Sequence, residues 1–406
     1  MRWLCLSFLV LIYLVLNVLI LRHTVADPHL AEKMGAKDSR QYVEIARDFA
    51  RGDFSMSYVQ NMPHRQPLYP LLLAPAVKVW GGDLFHLGCV NLVVGLTLLV
   101  CLFWGLLRLS LGLPAAVITC LAFIANPFIV DKISCRLMTE PVHALCVVVL
   151  ILFFLAYAVR GNPLCLLGAA AAGGVDYLAR TNGLFTIAAT LGILALWDLR
   201  RLLWPKGEQT TSNRRRWAVV LVSYLGAVLL AAFVTIPVWL PRYHYFRDPF
   251  HVGYLSNFMW VDSYEEGHTG RVVGEFTWKD YEKTHDLREF VDRWEQGFYR
   301  VYYDIPRHAE HVRILYFLAV IGVIFAFVKR RPEYCLLAVF LFIQLLPVVW
   351  TSINTPGPRV AYGTLFPFEL FFCAWALGCF LPLIAKRLPW RPVDRLPSKM
   401  EGTVSS

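Results

Sequence analysis

Apolar runs long enough to cross a lipid bilayer recur along the whole of this 406-residue chain, and that recurrence restricts the fold more than any other feature. A hydrocarbon core about 30 Å thick needs about 20 apolar residues of helix. Runs of that order lie near residues 3–21, 84–107, 115–131, 140–159, 163–178, 183–198, 218–240, 312–328, 333–350 and 363–385. In lipid the backbone finds no water to bond, so each run must satisfy its own amides as a helix. The expectation is an all-α polytopic membrane protein with about ten transmembrane helices. Gly-, Ser- and Pro-rich linkers are absent, so residues 1–406 read as one integral membrane domain.

Composition narrows the functional classes. The chain is 57% hydrophobic and 17% charged, where a soluble domain carries about 25% charge. The net charge of +10 could suit nucleic acid. The basic residues instead cluster at helix ends and in loops, as orientation signals and contacts to membrane lipids do, so no nucleic-acid partner is expected. Of the cysteines, Cys135 alone lies outside the apolar runs. The two long polar loops hold none, which excludes a disulfide framework there. No CxxC spacing occurs and no metal-ligand cluster is legible, so no metal-binding residue is assigned and a divalent cofactor stays open.

Charge also sets orientation. The connections holding Arg2, Arg108, Arg160, Arg200-Arg201 with Arg214-Arg215-Arg216, Lys329-Arg330-Arg331 and Lys386-Arg387 are basic, as cytoplasmic loops are. The alternate connections, 22–83, 132–139, 179–182, 241–311 and 351–362, then lie on the non-cytoplasmic face. Both termini fall in the cytoplasm, with 386–406 as a cytoplasmic tail. The run after Met1-Arg2-Trp3 is followed by Arg22-His23-Thr24 rather than a small-x-small cleavage site, and reads as a retained first helix.

The first non-cytoplasmic loop, 22–83, carries the densest chemistry. Ser39–Phe49 places Tyr42, Ile45, Ala46 and Phe49 at helical spacing with charges between them. Pro67–Trp80 is apolar, short and broken by Pro70 and Pro75, which suits an interfacial helix rather than a span. Asp38 opens the first of these helices. It is either a helix cap on a solvated loop or a general base held at the membrane face. Arg65 precedes the second. It either touches headgroups or presents its planar fork to one phosphate. The large loop 241–311 begins with Tyr243, Tyr245, Phe246, Phe250, Tyr254 and Trp260, then turns charged and helical over Lys279–Tyr303.

Further cations lie where the orientation rule would not put them. They are Lys132 and Arg136 before Thr139-Glu140-Pro141, Arg180 in Leu178-Ala179-Arg180-Thr181-Asn182-Gly183, and Arg359 before Tyr362. Together they suggest an anionic partner on that face. Glu140 starts a spanning helix, where the helix dipole favours its charge. Asp176 and Glu369 lie inside apolar stretches. A lone carboxylate there costs roughly 3 kcal/mol, so an arginine partner is expected for each.

In order along the chain, Asp38-Ser39-Arg40-Gln41-Tyr42, Arg65-Gln66-Pro67-Leu68-Tyr69-Pro70, Met138-Thr139-Glu140-Pro141, Leu178-Ala179-Arg180 and Arg359…Tyr362…Pro367 resemble the GT-C membrane glycosyltransferases. The likeness is to the family-39-like branch, which includes protein O-mannosyltransferases and lipid A aminoarabinose transferases. It covers residues 1 to about 200 well and the rest loosely. The resemblance implies transfer of a sugar from a polyprenyl-phosphate donor to a glycolipid, polysaccharide or protein acceptor, with inversion, on the non-cytoplasmic side of a bacterial inner membrane. It implies Asp38 as catalytic base, and Arg65, Tyr69, Glu140, Arg180 and Arg359 as substrate-binding residues. The chain has Ser39 where many relatives carry a second acid. Thr181-Asn182-Gly183 replaces the more usual continuation of the arginine motif, so Arg180 alone carries over there. Two other classes remain. A transporter of an anionic or lipid-linked substrate predicts broken helices at mid-membrane and two related halves. A non-catalytic scaffold predicts no need for Asp38 and Arg65 to converge.

Overall fold

A computed structural model describes residues 1–35, 38–203, 213–252, 260–261, 278–304, 313–352 and 359–387. Among these there is no strand. The chain runs α1 (Arg2–Ala26), α2 (Pro28–Met34), α3 (Asp38–Ala50), α4 (Leu68–Trp80), α5 (Leu84–Arg108), α6 (Leu113–Ile124), α7 (Pro127–Ser134) and α8 (Glu140–Arg160). It continues through α9 (Pro163–Ala179), α10 (Gly183–Leu203), α11 (Asn213–Phe246), α12 (Trp278–Thr284), α13 (Leu287–Tyr299), α14 (Arg313–Val328), α15 (Pro332–Thr351) and α16 (Arg359–Arg387). The result is an all-α polytopic membrane protein.

Each of the expected apolar runs is helical, but the spans are not equal. Among the described residues, seven helices are long and apolar enough to cross a membrane: α1, α5, α8, α10, α11, α15 and the Leu365–Leu383 part of α16. The run expected as a single helix over 115–131 is two helices, α6 and α7, bent by 58°. The cause is local. Asn126 accepts the amides of Phe128 and Ile129 at 3.0 and 3.3 Å, and Pro127 opens the new helix. α9 and α14 are shorter apolar helices of 17 and 16 residues. Among the described residues, the ten expected runs thus comprise seven helices of spanning length, one bent pair and two shorter apolar helices.

Two boundaries also move. α1 continues past Leu21 to Ala26, and Asp27 then caps α2 through its bonds to the amides of His29 and Leu30. α11 runs through Pro237 and Pro241 to Phe246, so the start of the expected 241–311 loop is helix. Spanning helices tolerate proline where neighbours satisfy the freed carbonyls.

Buried polar contacts lock the first half together. Tyr13 donates to the Leu92 carbonyl at 3.0 Å and Ser134 to Asn17 at 2.7 Å. Asn91 donates to the Arg136 carbonyl at 2.9 Å, fixing the segment that leads into α8. Ser39 then donates to the Leu137 carbonyl at 3.1 Å, which moors α3 beside the start of α8. α9 buries Ala169, Ala170, Ala172, Gly173 and Gly174 against α8, α10 and α11, the close approach that small residues allow in membranes. Outside the bundle, α13 docks on α15. Its buried Arg293 lies 4.3 Å from the Trp350 ring and donates to the Trp350 carbonyl.

Candidate active site

α3 is amphipathic. It buries Tyr42, Ile45, Ala46 and Phe49, while Arg40 and Glu44 pair on its exposed side. The buried side meets α4, and the Tyr42 and Tyr69 rings cross edge-to-face at 5.2 Å. Between these helices the chain turns through His64-Arg65-Gln66. Arg65 donates from Nε to Gln41 at 2.7 Å, from Nη1 to the Tyr42 hydroxyl at 3.1 Å, and from Nη2 to Asp38 at 2.5 Å. These bonds engage all three guanidinium nitrogens and use three of the five N–H groups that an arginine carries. Asp38 is the first residue of α3, at the positive end of the helix dipole. The arginine side chain is 11% exposed and the carboxylate 32%, so the acid is the open member of the pair. His64 lies beside them. Burial, then the charge of Arg65, pushes its imidazole down to about 4 from 6.5, with Asp38 opposing.

The remaining sequence-derived residues divide. Tyr69 is fully buried under Tyr42 and within electrostatic range of Glu140, so it is a wall of the site rather than an open contact. Glu140, buried at the first position of α8, faces Arg180 with Oε1 3.4 Å from Nη1. Arg180 follows α9 in extended conformation, and its amide bonds the Asp176 carbonyl. The turn back into α10 depends on Gly183, because a Cβ there would lie 2.2 Å from the Tyr177 amide. Asp38 and Arg65 are thus in direct contact, and Tyr42 and Tyr69 lie between them and Glu140–Arg180. Arg359 opens α16; its side chain lies outside the described residues.

Two features were not anticipated. Arg242, near the end of α11, is completely buried. It donates to the Tyr177 hydroxyl at 2.8 Å and to the Pro63 carbonyl at 2.6 Å, and so ties α9, α11 and the His64–Gln66 turn together. Its signal was legible as a cation at the end of an apolar run, like Arg180, but was lost in a loop expected to start at residue 241. Asp176 does not take an arginine. Its Oδ1 accepts His143 Nδ1 at 2.6 Å inside the bundle. Glu369 is buried too, and neither of its oxygens has a hydrogen-bond partner among the described residues. The arginine expected for each of these acids is therefore corrected.

Among the described residues, no three His, Cys, Asp or Glu side chains converge as a metal site requires. Asp38 faces a guanidinium instead of a second carboxylate, so no step below is routed through a metal.

Comparison with solved structures relates 94% of this chain to 50% of the Archaeoglobus fulgidus oligosaccharyltransferase, crystallised with zinc and sulfate, at a TM-score of 0.51 and 16% identity. At that identity the likeness is one of fold. The chain spans about half the length of that archaeal protein. A second match is ArnT from Cupriavidus metallidurans in its apo state, with a TM-score of 0.36 and 14% identity over 87% of this chain and 76% of ArnT. No protein-family model and no curated protein matches the sequence.

Proposed function

We propose that this chain is a membrane glycosyltransferase that takes a sugar from a polyprenyl-phosphate donor and passes it, with inversion, to a glycan, lipid or protein acceptor at the non-cytoplasmic face. The observation that carries the reading is the 2.5 Å contact between Asp38 and Arg65. A carboxylate and a cation in direct contact fit within the span of one sugar phosphate, which supports reading them as base and phosphate contact. The fold supports the same reading.

In this mechanism the carrier phosphate takes the two N–H groups of Arg65 left free by Gln41, Tyr42 and Asp38. Arg180 reaches the same anion from the α9 side, and Arg359 is assigned to it by resemblance. A lipid phosphate leaves with its bonding pair when positive charge faces the departing oxygens. The acceptor nucleophile attacks the anomeric carbon from the opposite face. The bond from that carbon to the phosphate oxygen breaks, and Asp38 receives the acceptor proton. Tyr69 backs Tyr42 and so holds the Arg65 fork in place.

The test is purified protein in lipid nanodiscs, given a panel of polyprenyl-phosphate sugars and candidate acceptors. Mass spectrometry is expected to find free polyprenyl phosphate appearing together with a glycosylated acceptor. Movement of the labelled carrier across liposome membranes with no bond broken would overturn this reading in favour of a transporter.

A further inference from the structure

α8 and the end of α9 each carry an acid followed one turn later by a basic residue. On α8, Glu140 is followed one turn later by His143. On the α9 side, Asp176 is followed one turn later by Arg180. Glu140 faces Arg180 and His143 holds Asp176. Asp176 is completely buried, and its second oxygen, Oδ2, has no hydrogen-bond partner among the described residues. A buried carboxylate that loses its only proton donor either takes up a proton or recruits the nearest cation. The cation one turn along is Arg180. A small cavity adjoins His143 and is lined also by Asn182 and Thr186, which follow Arg180.

We infer that His143 is a positioning residue for Arg180. By occupying Asp176 it keeps the guanidinium with Glu140 and available to the phosphate of a lipid carrier. The inference rests on the reading of Arg180 as a phosphate contact. Without the imidazole donor, Asp176 captures Arg180 and the carrier loses it.

Binding of polyprenyl phosphate to the purified protein in nanodiscs tests this, with thermal melting as the folding control. His143→Leu is expected to weaken binding about tenfold, the scale on which residues of one network couple. His143→Asn keeps an N–H near the place of Nδ1 and is expected to bind as the natural chain does. The decisive variant is His143→Leu combined with Asp176→Asn. An amide cannot capture the guanidinium as an anion does, so binding is expected to return to within about twofold of the natural chain. A purely packing role predicts a double variant no better than His143→Leu; that result overturns the inference, as does unchanged binding in His143→Leu. Arg180→Gln separates the two levels. If it weakens binding while His143→Leu does not, the inference alone fails. If it has no effect, the phosphate role of Arg180 fails and the inference with it.

Discussion

Arg65 closes onto Asp38 across 27 positions of chain, with Nη2 2.5 Å from the carboxylate. Between them lie a whole amphipathic helix and a turn, so the pair depends on α3 and α4 folding against each other. The structure brings together the acid and the cation, a convergence that the scaffold alternative does not require. Removing either residue should produce a distinct defect.

Asp38→Asn retains the size of the side chain and a hydrogen-bonding oxygen toward Arg65. It removes the proton acceptor. The expected outcome is a fall in transfer rate of about 10²–10⁴-fold, with melting temperature and carrier affinity nearly unchanged. Single-turnover assays beside carrier-binding measurements check this. A near-normal rate would reduce Asp38 to a helix-start residue.

Arg65→Ala removes the fork that joins Gln41, Tyr42 and Asp38. Carrier affinity is expected to fall more than the turnover of bound carrier. Arg65→Lys should recover only part of it, since an ammonium restores the charge without the planar geometry. The split between KM and kcat distinguishes this from the Asp38 lesion.

Arg242→Met would strip the Pro63 carbonyl and the Tyr177 hydroxyl of their donor at a buried junction. Unsatisfied buried groups of this kind cost about 1–3 kcal/mol each. The variant should melt earlier, and limited proteolysis should cut first near residues 61–66, where the turn has lost its tether.

His64 gives the first loop an acid limit. Its folded pKa of about 4 lies below its ordinary 6.5. Between those values the unfolded chain binds the extra proton, so stability is full above pH 6.5 and is lost as pH falls toward 4. Melting curves across that window should shift downward with acid. His64→Gln should flatten the slope attributable to this group.

Orientation is checked by single cysteines at exposed positions in a chain stripped of its own. A cysteine at Leu287, 79% exposed, should react with impermeant maleimide from the non-cytoplasmic side. One at Lys329 should react only after the cytoplasmic side is opened. The opposite pattern would invert the proposed topology.

Much of this architecture is legible because lipid imposes a simple rule: apolar runs become helices. α3 and α4 are legible too, since Tyr42, Ile45 and Ala46 mark one face and Pro67 marks a start. The break at Asn126-Pro127 had a plain local signal, which the continuous hydropathy across 115–131 masked. The partner of Asp176 had none. His143 lies 33 residues away, and only the packing of α8 on α9 selects it over an arginine. Arg242 was hidden for the opposite reason: two prolines suggested an ending, while the helix passed through both.

The brevity of α9 has a consequence for how substrate arrives. Seventeen residues rise about 25 Å, less than the roughly 30 Å of hydrocarbon in a bilayer. With its Pro163 end at one interface, a helix of that height would leave its Arg180 end recessed below the opposite lipid headgroups. A lipid-borne phosphate would then enter sideways, its tail still dissolved in the membrane. Under the proposed function, turnover would follow the number of carriers per unit of membrane area, and diluting the bilayer with inert lipid would slow transfer even at constant bulk concentration.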